Sequence, residues 1–198
     1  MSSLMLMTAA VVALSAPPEA AKLGEKVPAF TVAGADGKTY SPSALEGKFV
    51  VLEWTNKDCP YVARHYREGT MQATQAKAKE MGAVWLAVST SSEGKQGYLP
   101  AEGHHEHLKA VKSSALTVLL DPDGKLGRIF DAKTTPQIAI IDPAGKLIYN
   151  GAIDDQPEPR PGAAARNHVL EALKEAMAGK AVTVATSKPY GCGVKYPD

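Results

Sequence analysis

The stretch Phe49-Val50-Val51-Leu52-Glu53-Trp54-Thr55 constrains the fold more than any other, because its density of β-branched and aromatic residues predicts a buried strand. Glu53 sits inside that apolar run. An unpaired charge there is expensive to bury, so either its pKa rises or that face of the strand is wet. Asn56-Lys57-Asp58 breaks the run, and Cys59-Pro60 then marks the start of a helix, since proline is tolerated at the first helical position. Cys59 is thereby expected at the N-cap. A thiol in that place faces unpaired amides and the positive end of the helix dipole, which favour the thiolate, so its pKa is expected below about 8.5. Lys57, Arg64 and His65 act in the same direction if they lie close, and Asp58 acts against them. The other reading of the same cysteine is a small buried hydrophobe without chemistry.

The pattern after Cys59 predicts a helix over residues 60–81 closed by Gly82, then a second buried strand over residues 83–89. That is a β-α-β unit, which implies parallel strands and a right-handed crossover. Upstream, Asp36-Gly37 marks a hairpin turn and Ser41-Pro42 opens one helical turn. Downstream come a polar loop over residues 91–103, a helix over 106–114, a strand over 117–120 and a short helix over 126–130. Strands over 137–142 and 147–151, joined by the turn at 143–146, form an antiparallel pair. Residues 154–162 are an irregular proline-rich loop, and Val169, Leu170, Leu173 and Met177 trace the apolar face of a last helix over 166–177. A further strand is expected over 181–186. Beyond it Cys192 stands between Gly191 and Gly193, in a tail with no hydrophobic periodicity.

A chain of 198 residues, 44% of them hydrophobic, fills one core, and no linker divides it. The expected organisation is a leader over residues 1–22, one domain over 23–180 and a C-terminal tail over 181–198. A net charge of +1 supplies no basic field for nucleic acid or anionic lipid. No Gly-rich phosphate loop follows a strand, and neither a Ser-His-Asp arrangement nor an aromatic-basic stripe is present. Two cysteines far apart in sequence are too few for a disulfide scaffold and are not a local zinc pair. His104, His105 and His107 cluster, but no carboxylate or cysteine is spaced to complete a metal site; no metal or cofactor is expected. The apolar run over residues 4–14, followed by Ser15-Ala16-Pro17-Pro18, reads as a secretory signal too short to span a membrane. It points to the periplasm or secretion, with the cytoplasm as the alternative.

The order of these elements resembles the thioredoxin fold in its redoxin form, a mixed α/β fold whose central sheet is flanked by helices behind an N-terminal hairpin. Cys59-Pro60-Tyr61-Val62 occupies the place of the Cys-x-x-Cys motif, Thr135-Pro136 that of the cis-proline, and Glu53 that of the buried carboxylate beneath the thiol. The Lys188-Pro189-Tyr190-Gly191-Cys192 tail resembles a peroxiredoxin-like subgroup of the alkyl hydroperoxide reductase/thiol-specific antioxidant superfamily. The resemblance implies Cys59 as nucleophile, Glu53 as proton acceptor, and Pro60, Thr135, Pro136, Trp54 and Arg64 on the substrate side. Val62 replaces the second motif cysteine, so a disulfide inside the motif is excluded, and Cys192 becomes the candidate resolving thiol. Thr55 is out of register with the peroxide-binding threonine of peroxiredoxins. Three readings are open: a thiol-disulfide oxidoreductase acting on protein or small-molecule thiols and disulfides with an external reductant; a peroxide reductase with the same cysteines; and a non-catalytic domain stapled by a structural Cys59–Cys192 disulfide.

Overall fold

A computed structural model describes residues 19–158 and 164–198. The apolar run read as a leader lies outside these residues, as does part of the proline-rich loop. Seven strands form one mixed sheet: β1 (Val32–Gly34), β2 (Thr39–Tyr40), β3 (Val50–Trp54), β4 (Val84–Ser89), β5 (Val118–Leu120), β7 (Gln137–Ile141) and β8 (Leu147–Gly151), in the order β2-β1-β5-β4-β3-β7-β8. A separate pair joins β6 (Thr134–Thr135) to β9 (Cys192–Gly193). The helices are α1 (Pro60–Arg67), α2 (Thr70–Glu80), α3 (Ala101–Ala110), α4 (Lys125–Ile129) and α5 (His168–Met177).

β3 is the centre of the sheet. It runs parallel to β4, with Glu53 opposite Ala87, and antiparallel to β7, with Glu53 opposite Ile138. Both edges of the strand are thus paired, and both of its faces are covered by packed side chains, so every residue from Val50 to Trp54 is buried. Alternation sends successive side chains to opposite faces. Val50, Leu52 and Trp54 join one apolar cluster with Phe30, Leu86 and Phe130. Val51 joins the other, with Val62 and Tyr66 of α1, Met71 of α2 and Leu173 of α5. Each large side chain fully buried in this way contributes about 1.5–3 kcal/mol.

Three elements differ from expectation. The helix predicted over residues 60–81 is two helices, because Gly69 adopts a left-handed conformation, φ 79°, and breaks the ladder between α1 and α2. The helix expected over 106–114 begins earlier, after the extended Pro100, and stops at Ala110, with Lys112 turning left-handed at φ 54°. No strand forms over 181–186. There Thr186 makes one isolated bridge to Asn150, while the Thr183 amide and hydroxyl are taken by the Glu175 carboxylate at 2.7 and 2.6 Å. Among the described residues no helix is long and apolar enough to cross a membrane.

Candidate active site

Cys59 closes the turn after β3, its amide donating to the Asn56 carbonyl at 3.0 Å. Its own carbonyl accepts the Ala63 amide at 2.9 Å, the first bond of α1, and Pro60 fills the first helical position. The cysteine is the N-cap of α1, with extended backbone. Its thiol donates to the Thr135 carbonyl at 2.9 Å and is wholly buried. The Thr135-Pro136 peptide is cis. Burial opposes ionisation of this thiol, yet the Thr135 hydroxyl, the Val62 amide and the Cys192 amide and thiol together outweigh it and hold the pKa below the ordinary value.

The tail brings the second cysteine to the first. In the β6–β9 pair Thr135 lies opposite Cys192 and Thr134 opposite Gly193, and the Val194 amide continues the contact to the Lys133 carbonyl at 3.0 Å. Gly191 makes that approach possible. Its φ is 135°, and a Cβ placed there would collide with the Thr135 carbonyl oxygen. Two tyrosines bracket the cysteine. Tyr190 donates to Asp154 Oδ1 at 2.5 Å, with His65 Nε2 3.0 Å from its hydroxyl. Tyr196 donates to the Ala132 carbonyl at 2.7 Å, lying so close over α4 that a Cβ on Gly127 would meet its hydroxyl at 2.6 Å. Both cysteines are free thiols. Burial and the adjoining Cys59 sulfur push Cys192 up to about 11. The two thiols titrate as a coupled pair, with Cys59 held below the ordinary thiol value and Cys192 above it.

Glu53 lies on the same face of β3 as Val51, in a wholly buried polar pocket. Trp85 Nε1 donates to its Oε2 at 2.8 Å, Gln75 Nε2 to Oε2 at 3.0 Å and Tyr66 to Oε1 at 3.2 Å. Burial is the largest influence and raises the carboxyl to about 7, against the opposing pull of these donors and the Thr55 hydroxyl. The raised pKa expected from the sequence is present, and the pocket is dry and satisfied, not wet. The hydrogen bonds of Glu53 run to Trp85, Gln75 and Tyr66, not to Cys59.

Other expected site residues are placed elsewhere. Trp54 follows Glu53 and so faces the opposite side of β3, fully buried with its ring 5.5 Å from that of Phe130. It is a core residue on the face away from Cys59 and not, as expected, on the substrate side. Arg64 is committed to the chain itself, donating to the carbonyls of Pro157 at 2.6 Å and Gln156 at 3.1 Å and lying over the rings of Tyr61 and Tyr190. Lys57 pairs with Asp58 at 2.7 Å. Burial holds the pKa of His65 below the ordinary imidazole value despite nearby Asp154. His104 is buried in α3 and His105 is exposed; burial and neighbouring His107 push His104 down to about 4. Among the described residues no three His, Cys, Asp or Glu side chains come together to hold a metal. Sequence reading missed Tyr66, Gln75 and Trp85 around Glu53, and Tyr196 of the tail.

A central strand that ends in a helix-capping cysteine opposite a cis-proline defines a thioredoxin-fold redoxin. The chain belongs to the AhpC/TSA family, whose model matches residues 23–150. It is 25% identical over 143 residues to the thiol-disulfide oxidoreductase ResA of Bacillus subtilis, covering 69% of this chain and 70% of that protein. A hypothetical protein from Sinorhizobium meliloti superposes with a TM-score of 0.77 at 18% identity, over 91% of this chain and 97% of the other, a likeness of fold. The exposed lipoprotein thioredoxin Etrx1 of Streptococcus pneumoniae superposes with a TM-score of 0.53 at 28% identity, over 74% of this chain and 98% of that one.

Proposed function

We propose that this chain is a thiol-dependent oxidoreductase in which Cys59 is the nucleophile and Cys192, carried in by the tail, is the resolving thiol. The observation that carries the reading is the pairing of Cys192 with Thr135, which sets the second thiol in hydrogen-bonding reach of the first. Cys59 thiolate attacks one sulfur of a substrate disulfide and expels the other as a thiolate, which takes up a proton. Cys192 then gives up its own proton and attacks the Cys59 sulfur, releasing the reduced substrate and leaving a Cys59–Cys192 disulfide. Two electrons pass from the cysteine pair to the substrate, and an external thiol reductant restores them. Because Cys59 is covered, a bulky disulfide reaches it when β9 lifts from β6, a short pairing of Cys192 and Gly193 extended by the Val194 amide. Thr135 and Pro136 border the thiol, and Pro60 fixes the helix start beneath it. Glu53, two strand positions from Val51 on the thiol's side of the sheet, serves as the proton reservoir of that face.

The name of ResA supports the activity. The apolar N-terminal run and the description of Etrx1 as an exposed lipoprotein support a site of action outside the cytoplasm. Equilibration of the full chain in thiol redox buffers tests the reading. A potential between about −120 and −270 mV is expected for an exchanging couple, and a value below about −300 mV would make the bond a structural staple and overturn it.

A further inference from the structure

We infer that Glu53 exchanges its proton with solvent through the hydroxyls of Tyr66 and Ser113, by a cleft at the end of the sheet away from Cys59. This rests on the reading of Glu53 as the proton reservoir of the site. A carboxyl that changes charge near neutrality inside a dry pocket needs such a route, and among the described residues no charged side chain bonds to Glu53 to hand it a proton. Of its three donors, the Trp85 indole N–H and the Gln75 amide N–H give hydrogen bonds without accepting any, whereas the Tyr66 hydroxyl does both. Gln75 is fixed in orientation by its oxygen, which accepts the Ser114 amide at 2.8 Å and the Ser113 hydroxyl at 3.1 Å. Tyr66 is therefore the relay, and its oxygen lies 3.4 Å from Ser113 Oγ.

Ser113 opens the path to water. It stands in the loop between α3 and β5, partly exposed, and lines a cleft of about 530 Å³ with Lys79, Val84, Trp85, Ser114 and the exposed Leu116. β3 and β4 run parallel, with Val51 opposite Trp85 and Glu53 opposite Ala87, so Trp85 marks the end of the sheet at which these two strands begin. Cys59 follows the opposite end of β3. There the thiol is covered and the tail is paired to β6. The carboxyl is thus served from the back of the sheet while the tail stays closed over the front.

For a proton to enter, hydronium in the cleft donates one to Ser113 Oγ, Ser113 passes its own to the Tyr66 oxygen, and Tyr66 passes its own to Glu53 Oε1. Each hydroxyl gains one proton as it gives one up, so only the hydronium and the carboxylate change charge. On the way out Glu53 donates to Tyr66, Tyr66 to Ser113 and Ser113 to water. No tyrosinate accumulates, in keeping with a phenol that burial and the adjoining Glu53 carboxylate hold well above its ordinary pKa.

The test uses the full chain labelled with NMR-active carbon at its glutamate side-chain carboxyls, Glu53 being the resonance lost in Glu53→Gln. Line shapes followed from pH ~5 to pH ~9 give the proton exchange rate at each protein's own midpoint. Tyr66→Phe and Ser113→Val are expected to slow exchange by about tenfold or more, and Ser113→Thr, which has the shape of valine and keeps a hydroxyl, to stay within about twofold of wild type. Exchange at the wild-type rate in either Tyr66→Phe or Ser113→Val overturns the inference. Equal slowing in Ser113→Val and Ser113→Thr also overturns it, as packing without a relay. Should Tyr66→Phe fail to fold, the valine and threonine comparison decides alone. A Glu53 resonance that does not titrate in this range removes the reservoir and the inference with it. The cysteines take no part in the measurement, so a failed relay leaves the exchanging pair standing.

Discussion

Replacing Glu53 by glutamine keeps the shape of its pocket and removes its titration. Trp85 and Gln75 both donate to Oε2 and Tyr66 donates to Oε1. A glutamine oxygen serves the first two, and its amide group then donates to Tyr66, whose hydroxyl turns to the Ser113 hydroxyl 3.4 Å away. The wild-type carboxyl is raised by burial from 4.5 to about 7. A carboxyl whose folded pKa is raised adds stability that is fully present below the unfolded pKa and is lost as pH rises through the folded one. Here the loss runs from about pH 4.5 to about pH 7. Over about 2.5 pH units, at about 1.36 kcal/mol each, it amounts to about 3 kcal/mol. Urea unfolding of wild type and Glu53→Gln at several pH values isolates this contribution, since every other group titrates in both proteins. The free-energy difference between them is expected to move in favour of the variant by about 3 kcal/mol from pH ~4 to pH ~8. A difference that stays flat across that range refutes the assignment of a dry, proton-holding pocket.

Gly191→Ala drives a methyl group into the Thr135 carbonyl oxygen, and it should slow diamide-driven Cys59–Cys192 bond formation by about tenfold or more; an unchanged rate in a gel-shift assay would mean that the β6–β9 pairing does not set the approach. Cys192→Ala removes a hydrogen bond that favours the Cys59 thiolate, so the midpoint of Cys59 alkylation against pH should rise, and an unmoved midpoint would show that the two thiols do not share a proton. Tyr190→Phe deletes the bond to Asp154 and is expected to cost about 2 kcal/mol in urea unfolding, with faster amide exchange at residues 190–194. Protection equal to wild type would show that the tail is held by other contacts.

The sheet is legible in the sequence because its signal is local. β-branched runs at residues 49–55 and 83–89, an Asp-Gly turn and a Cys-Pro helix start each report their own geometry through neighbouring residues. The break at Gly69 is not legible, because one glycine in an otherwise helical run carries little weight until the partners of both helices are known. Nor is the fate of residues 181–186, whose strand-like composition is overruled by Glu175, a helix residue eight positions back that takes both polar groups of Thr183. At the site, Cys59 and Glu53 stand out as polar residues in an apolar setting. The donors to Glu53 do not, since Tyr66, Gln75 and Trp85 come from three elements and meet only after folding. Sequence proximity puts Trp54 beside the thiol, whereas the strand's period of two sends it to the other face.

That same alternation guards the fold against its own mistakes. Glu53 and Trp54 are adjacent, yet one enters a pocket of three donors and the other an oily cluster of Phe30, Leu86 and Phe130. A slip of β3 by one residue would exchange them, pressing a carboxyl into hydrocarbon and leaving three donors facing an indole. Neighbouring registers of a purely Val, Leu and Ile strand would differ little in energy. The single acid at the centre therefore separates the correct alignment from the nearest wrong one, and it does so before either cysteine takes any part.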